Sequence, residues 1–119
     1  MDTLNVTLTV FSNCLVATLP QEATLDVLAD LRRNMLVELD EGARRAVVFD
    51  LTGVQVLEAA EFDHLAQSGR MAQLLGAKPC LVGLRPSVVA YLVAADVNFS
   101  DLLVARNLQT ALDQIEAST

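Results

Sequence analysis

The sequence predicts an α/β fold: a mostly parallel sheet of four or five strands, with an N-terminal antiparallel hairpin and about four helices. Short apolar runs alternate with segments whose apolar residues recur at helical spacing. Such alternation requires crossover connections, which make successive strands parallel. The chain has 119 residues, of which 53% are apolar and 19% charged. That is enough to bury one sizeable core, so we expect a single domain over residues 1–119.

The first two predicted elements are strands that pair as a hairpin. Residues 6–11 alternate between apolar and polar side chains at first, as an edge strand does. Ser12-Asn13 is a turn signal, and Cys14–Leu19 forms the second strand before Pro20 ends it. A central strand of continuously apolar character is predicted later, over Ala46–Leu51, and it is of the type buried on both faces.

Four helices are predicted around these strands. The first begins after Thr24 as N-cap and stops at Gly42, and the second runs from Glu58 to Leu75. Their apolar stripes are Leu25, Leu28, Met35, Leu36 and Leu39 in the first, and Phe62, Leu65, Ala66, Gly69 and Ala72 in the second. The remaining elements are a strand over 79–84, a helix from Pro86 to about Ala94, a strand over 102–104 and a helix capped by Asn107.

Charge and composition exclude several classes of function. Fifteen acidic and eight basic residues give a net charge of −7, which argues against a nucleic-acid partner and an anionic membrane surface. No window approaches the roughly 18 continuous apolar residues of a membrane span, and Met1–Asn5 lacks the basic start of a signal peptide. We expect Cys14 and Cys80 to be buried reduced thiols of a cytosolic protein, with a disulfide as the less favoured alternative.

No catalytic, metal or cofactor site is predicted from the side-chain chemistry. His64 is the one histidine, and Ser68 lies four residues later on the same helix, but no oxyanion hole accompanies the pair. A half-exposed helix residue is therefore the favoured interpretation of His64. Asp50, at the end of the central strand, either serves a functional role or caps the following turn, and both interpretations stay open.

Acidic residues cluster at the start of the second helix: Glu58, Glu61 and Asp63. The helix macrodipole favours acids at this position, so a structural role is the simplest explanation. A paired-carboxylate hydrolase site would need a second acidic cluster, which the sequence does not offer.

Several motifs together resemble those of STAS domains. They are DLTGV at 50–54, DHL at 63–65, LGAK at 75–78, GLRP at 83–86 and ARNLQTAL at 105–112. Within that family the chain is most similar to the stressosome branch of anti-sigma-factor antagonists. This branch includes RsbS-like scaffold subunits and the C-terminal domain of RsbR-like sensors. The chain shows no sensor domain, so the free-standing RsbS-like form is expected.

The resemblance implies a four- or five-stranded sheet with helices on one side, and a non-enzymatic role in the cytoplasm. It also implies partners: an RsbT-like serine kinase, an RsbR-like co-scaffold, and a second copy in a homodimer or larger assembly. The implied partner surface comprises Thr52, Gly53, Glu58, Ala59, Ala60, Glu61, Asp63, Arg85 and Ser87.

The family's phosphoacceptor position is altered in this sequence. The resemblance aligns the phosphorylated Ser or Thr, and the Asp before it, with Ala59 and Glu58. Alanine has no hydroxyl and cannot accept a phosphate. Two explanations for Ala59 stay open: this homologue never used the site, or the alanine was introduced to block it. The chain is then fixed either in an unphosphorylated-like state or, through Glu58 and Glu61, in a partly phosphomimetic one.

An alternative function is a small-ligand or nucleotide-binding regulatory module of the same fold. The turn after the central strand and the start of the second helix form a shallow anion-attracting site. Glu58 and Glu61 would repel a phosphate there, which weighs against this alternative.

Overall fold

The computed structural model describes residues 6–99 and 102–117. Over these residues the chain forms five strands and four helices: β1 Thr7–Phe11, β2 Cys14–Thr18, α1 Leu25–Glu41, β3 Ala46–Asp50, α2 Ala59–Leu74, β4 Lys78–Val82, α3 Pro86–Ala94, β5 Leu103–Ala105 and α4 Leu108–Ala117. Each predicted element is confirmed, with bounds that differ by one or two residues. The prediction that Met1–Asn5 does not start a signal peptide concerns residues outside the described ranges.

The five strands form one sheet in sequence order. β1 and β2 are antiparallel, whereas β2, β3, β4 and β5 are parallel to one another, as the alternation predicted. The hairpin closes through Ser12 and Asn13, which have φ of 52° and 60°. Two successive positive φ values are typical of a type I′ turn, which matches the twist of an antiparallel pair.

Helices cover both faces of the sheet. One core joins Val47 and Phe49 of β3 to α1, α2 and α3, while a second core joins Val48 of β3 to Ala111 and Ile115 of α4. The expectation of helices on one side is therefore wrong. A strand that is apolar on both faces needs cover on both, and the amphipathic α4 supplies it where α1–α3 do not.

The apolar stripe of α1 is rotated from its predicted centre. Leu28, Met35 and Leu39 are buried as predicted, but Leu25 is 48% exposed and Leu36 is half-buried. The buried stripe also includes Val27 and Leu31, which the prediction missed. At 100° per residue, Leu25 and Leu36 fall at one edge of this stripe, where α1 turns away from the sheet and α2.

Polar side chains and a glycine define the helix ends that the sequence predicted. The Val27 N–H donates to Thr24 Oγ1 at 3.3 Å, and the Thr110 N–H donates to Asn107 Oδ1 at 2.9 Å. At the end of α1, the Gly42 N–H donates to the Glu38 carbonyl at 3.3 Å. These contacts satisfy backbone groups that a helix end leaves unpaired.

The two cysteines are free and buried in the α4-side core, so the disulfide alternative is wrong. Burial raises the pKa of the Cys80 thiol to about 11, and it also raises the pKa of Cys14. Both side chains are therefore protonated and packed as small apolar groups at neutral pH. No helix within residues 6–99 and 102–117 combines the length and the apolar character needed to cross a bilayer.

Candidate functional site

The turn after β3 is closed by the side chain of Asp50. Its Oδ1 accepts from the Thr52 N–H at 3.0 Å and from the Thr52 hydroxyl at 2.6 Å. This is the local bonding by which aspartate stabilises a turn. Of the two interpretations of Asp50, the structure favours the one in which its carboxylate caps the turn.

The loops after β3 and β4 meet because the carboxyl ends of these parallel strands are paired, Asp50 opposite Val82. Gly83 has a φ of +77°, and a Cβ at this position would collide with the Thr52 hydroxyl and lie 2.8 Å from its backbone nitrogen. Glycine therefore permits both the left-handed conformation and the close approach. Across the same junction, Arg85 Nε donates to the Thr52 carbonyl at 3.2 Å.

The segment between β3 and α2 is held in place on its other side by the chain preceding α1. Glu22 and Val56 form a parallel bridge, and the side-chain amides of Gln21 and Gln55 bond at 2.8 Å. Val54 and Leu57 are buried, but Val56 between them is 63% exposed. The segment thus presents an apolar side chain to solvent from a backbone fixed by neighbouring contacts.

Helix α2 begins with an acidic capping box. The Glu58 N–H donates to Glu61 Oε1 at 2.9 Å, so the Glu61 carboxylate satisfies a backbone donor at the helix start. Ala59 is the first helical residue and is half-buried, while Glu58, Ala60 and Asp63 are exposed. The structural interpretation of the acidic cluster is thereby supported for Glu61.

Two grooves flank the ridge formed by Val56 and Glu58. The first, of about 300 Å³, is lined by Gln21, Glu22, Ala23, Thr24, Gln55, Val56, Glu58 and Glu61. The second, of about 370 Å³, is lined by Gln55, Val56, Leu57, Glu58, Ser87, Val88 and Tyr91. Tyr91 is absent from the surface that the sequence predicted, because its neighbours Ala90 and Leu92 are apolar and nothing local distinguishes it from a packing residue.

A separate polar cluster, formed by Arg32, His64 and Ser68, joins α1 to the middle of α2. Arg32 Nε donates to Ser68 Oγ at 2.8 Å, and Arg32 Nη2 donates to the His64 carbonyl at 2.7 Å. The Ser68 hydroxyl is 1% exposed and donates to the same carbonyl at 3.2 Å, so it bonds to backbone and not to the imidazole. This geometry joins two helices and does not activate a nucleophile.

Burial lowers the pKa of His64, and the Arg32 charge lowers it further. The imidazole is therefore neutral at neutral pH, and its buried Nδ1 has no hydrogen-bond partner among the described residues. Within the described part of the chain, no group of three or more His, Cys, Asp or Glu residues could hold a metal ion. Sequence reasoning missed Arg32 because nothing local marks a cation that bonds to a distant helix.

Comparison with known proteins places this geometry in a family. The STAS domain family matches residues 5–111. The chain is 27% identical over 113 residues to the RsbT co-antagonist protein RsbRA of Bacillus subtilis (strain 168). That match covers 90% of this chain and 40% of the relative, so the chain spans less than half of the curated protein's length.

Two solved structures show the same fold. A serine-to-glutamate variant of Moorella thermoacetica RsbS superposes with a TM-score of 0.82 at 21% identity, covering 96% of this chain and 97% of that one. A chain from the molecular architecture of the stressosome, a signal integration and transduction hub, superposes with a TM-score of 0.77 at 20% identity. The coverage is 94% of this chain and 97% of that one.

Proposed function

This chain belongs to the STAS domain family, and on that premise we propose that it is a non-enzymatic, RsbS-like anti-sigma-factor antagonist that serves as a stressosome scaffold. In this proposal it binds an RsbT-like serine kinase and assembles with an RsbR-like co-scaffold in the cytoplasm, as a dimer or a larger complex. The named relative is a co-antagonist of RsbT, and one similar fold comes from a stressosome, which supports this branch of the family.

One observation carries the proposal: two loops and a helix start form a single fixed surface at the carboxyl end of the sheet. Thr52 contacts Gly83 and Arg85 where the loops after β3 and β4 meet, and Glu58, the residue before Ala59, lines the same groove as Ser87. The exposed residues of this surface form no catalytic arrangement, but they present charged and apolar side chains in a defined shape. Such a surface is suited to binding a protein and lacks a nucleophile with an activating base.

Ala59 determines how this surface behaves in the proposed pathway. A phosphate at the start of α2 would add about −1.5 to −2 charge, and alanine cannot carry one. The Glu61 carboxylate is occupied by the Glu58 N–H, which favours its role as a cap over that of a phosphate mimic. We therefore propose that the chain stays permanently in the unphosphorylated-like, kinase-binding state.

The test is incubation of the purified chain with its cognate RsbT-like kinase and labelled ATP. We expect stable binding and no phosphate on the chain, whereas Ala59→Ser should accept phosphate and then release the kinase. Mass spectrometry locates any label, because Thr52 and Ser87 are also exposed hydroxyls. Phosphate on either of these residues in the unaltered chain, or absence of kinase binding, would contradict the proposal.

The nucleotide-binding alternative is tested by calorimetric titration with ATP and GTP. Glu22, Glu58 and Glu61 line the groove beside the start of α2 and oppose a phosphate there. We expect no heat of binding, and micromolar affinity for either nucleotide would favour the alternative function.

A further inference from the structure

We infer that the groove between Val56 and Tyr91 anchors an apolar side chain of the partner kinase, next to a lysine or arginine of the same partner segment. This inference rests on the proposed function and specifies the chemistry of the partner that the surface accepts. It adds Tyr91, in the second half of α3, to a surface that the sequence limited to the loops, the start of α2 and Ser87 in the first turn of α3.

The groove has a buried apolar floor and exposed apolar rims. Leu57 and Val88 form its floor and are 2% and 3% exposed. Val56 and Tyr91 line its sides and are 63% and 47% exposed. A concave site with apolar rims and one aromatic side chain is where binding energy concentrates in protein interfaces, because one inserted side chain displaces water from all of its walls.

The groove is formed before any partner arrives. The Glu22–Val56 bridge and the Gln21–Gln55 bond fix one wall, and Val88 holds the first turn of α3 to the core on the other. A site that needs no ordering on binding retains more of its contact energy as affinity. The exposed side chain of Val56 is therefore held in one position, because its backbone is bridged to Glu22.

The negative charge beside the groove is the reason for expecting a lysine or arginine in the partner segment. Glu58 lies between this groove and the neighbouring one, which Glu22 and Glu61 also line. Of the described residues, no lysine or arginine lines either groove. A partner segment that complements this negative charge carries a lysine or arginine next to its apolar anchor residue. A second copy of this chain, with its net charge of −7, would bring like charges together, which disfavours it as the occupant.

The experiment measures the affinity of the purified cognate kinase for variants of the full chain, each checked for an unchanged thermal midpoint. Val56→Ala and Tyr91→Ala should each weaken binding about tenfold, the usual effect of truncating an anchor contact. Glu58→Gln should weaken binding less and reduce its dependence on salt. The matched controls lie elsewhere on the molecule: Val37→Ala, a valine that is 54% exposed on α1, and Glu41→Gln, an exposed acid at the end of α1.

Each outcome decides the inference. It is supported if the groove variants bind weakly while the controls stay within about twofold of the unaltered chain. If the kinase binds and the groove variants behave like the controls, the inference is overturned and the proposed function stands. If the unaltered chain does not bind the kinase, the proposed function fails too. Loss of self-association in the groove variants, measured by sedimentation, with kinase affinity unchanged would assign the groove to a second copy and overturn the inference.

Discussion

Helix α2 carries two polar clusters that differ in what their side chains contact. In the middle of the helix, Ser68 and the His64 carbonyl bond to Arg32 of α1, largely out of solvent. At the start of the helix, Glu58 is exposed beside the exposed Val56. The first cluster uses its polar groups within the fold, whereas the second leaves charge and apolar surface available. The sequence placed Glu58 in the expected partner surface and disfavoured chemistry at His64, and the hydrogen bonds of the first cluster give Ser68 and the His64 carbonyl a structural role.

The largest expected effect comes from disturbing the contact between Gly83 and Thr52, where the loops after β3 and β4 meet. Gly83→Ala should lower the free energy of unfolding by about 3 kcal/mol, because the new Cβ meets a positive φ and the Thr52 backbone together. Gly76→Ala is the matched control, since Gly76 has a φ of +88° with open space around it and should cost about 1 kcal/mol. Urea unfolding measures both, and equal losses would show that the contact with Thr52 contributes nothing.

A smaller loss is expected from the cluster in the middle of α2. Arg32→Met removes two charge-assisted hydrogen bonds to α2 and should cost about 2 kcal/mol of stability, while leaving kinase affinity unchanged. Arg33→Met, which removes an exposed pair with Asp30, should be close to neutral. Thermal unfolding and binding of the same samples separate the two roles. Weaker binding by folded Arg32→Met would contradict the division between the clusters.

The smallest expected effect on stability is the difference between Glu61 and Glu58 at the start of α2. Glu61→Ala removes the carboxylate that accepts from the Glu58 N–H and should cost about 1 kcal/mol of stability. Glu58→Gln keeps that backbone donor and should change stability by less than roughly 0.5 kcal/mol. Chemical denaturation distinguishes them. The same loss from both substitutions would mean that the two carboxylates share the capping role.

Local signals predicted most of the fold because each one acts within a few residues. Ser12-Asn13 forms the hairpin turn, Thr24 caps α1 and Pro86 opens α3, as predicted. The apolar stripe of α2 is buried as predicted, since a repeat of 3.6 residues determines which side chains share a face. The stripe of α1 was displaced because several apolar residues lie on its edge, and the partner helix decides which of them are covered.

The sequence by itself determined the elements, their order and the acidic start of α2, because hydrogen bonding and helical periodicity are local. Only the tertiary structure decided which face of the sheet α4 covers and which groups Arg32 contacts. The tertiary structure likewise decided that position 83 needs a glycine, because a Cβ there would collide with Thr52. It also decided that Val56 and Tyr91 line one groove. Each of these facts joins residues from different elements, and the strand pairing of the sheet brings those elements together.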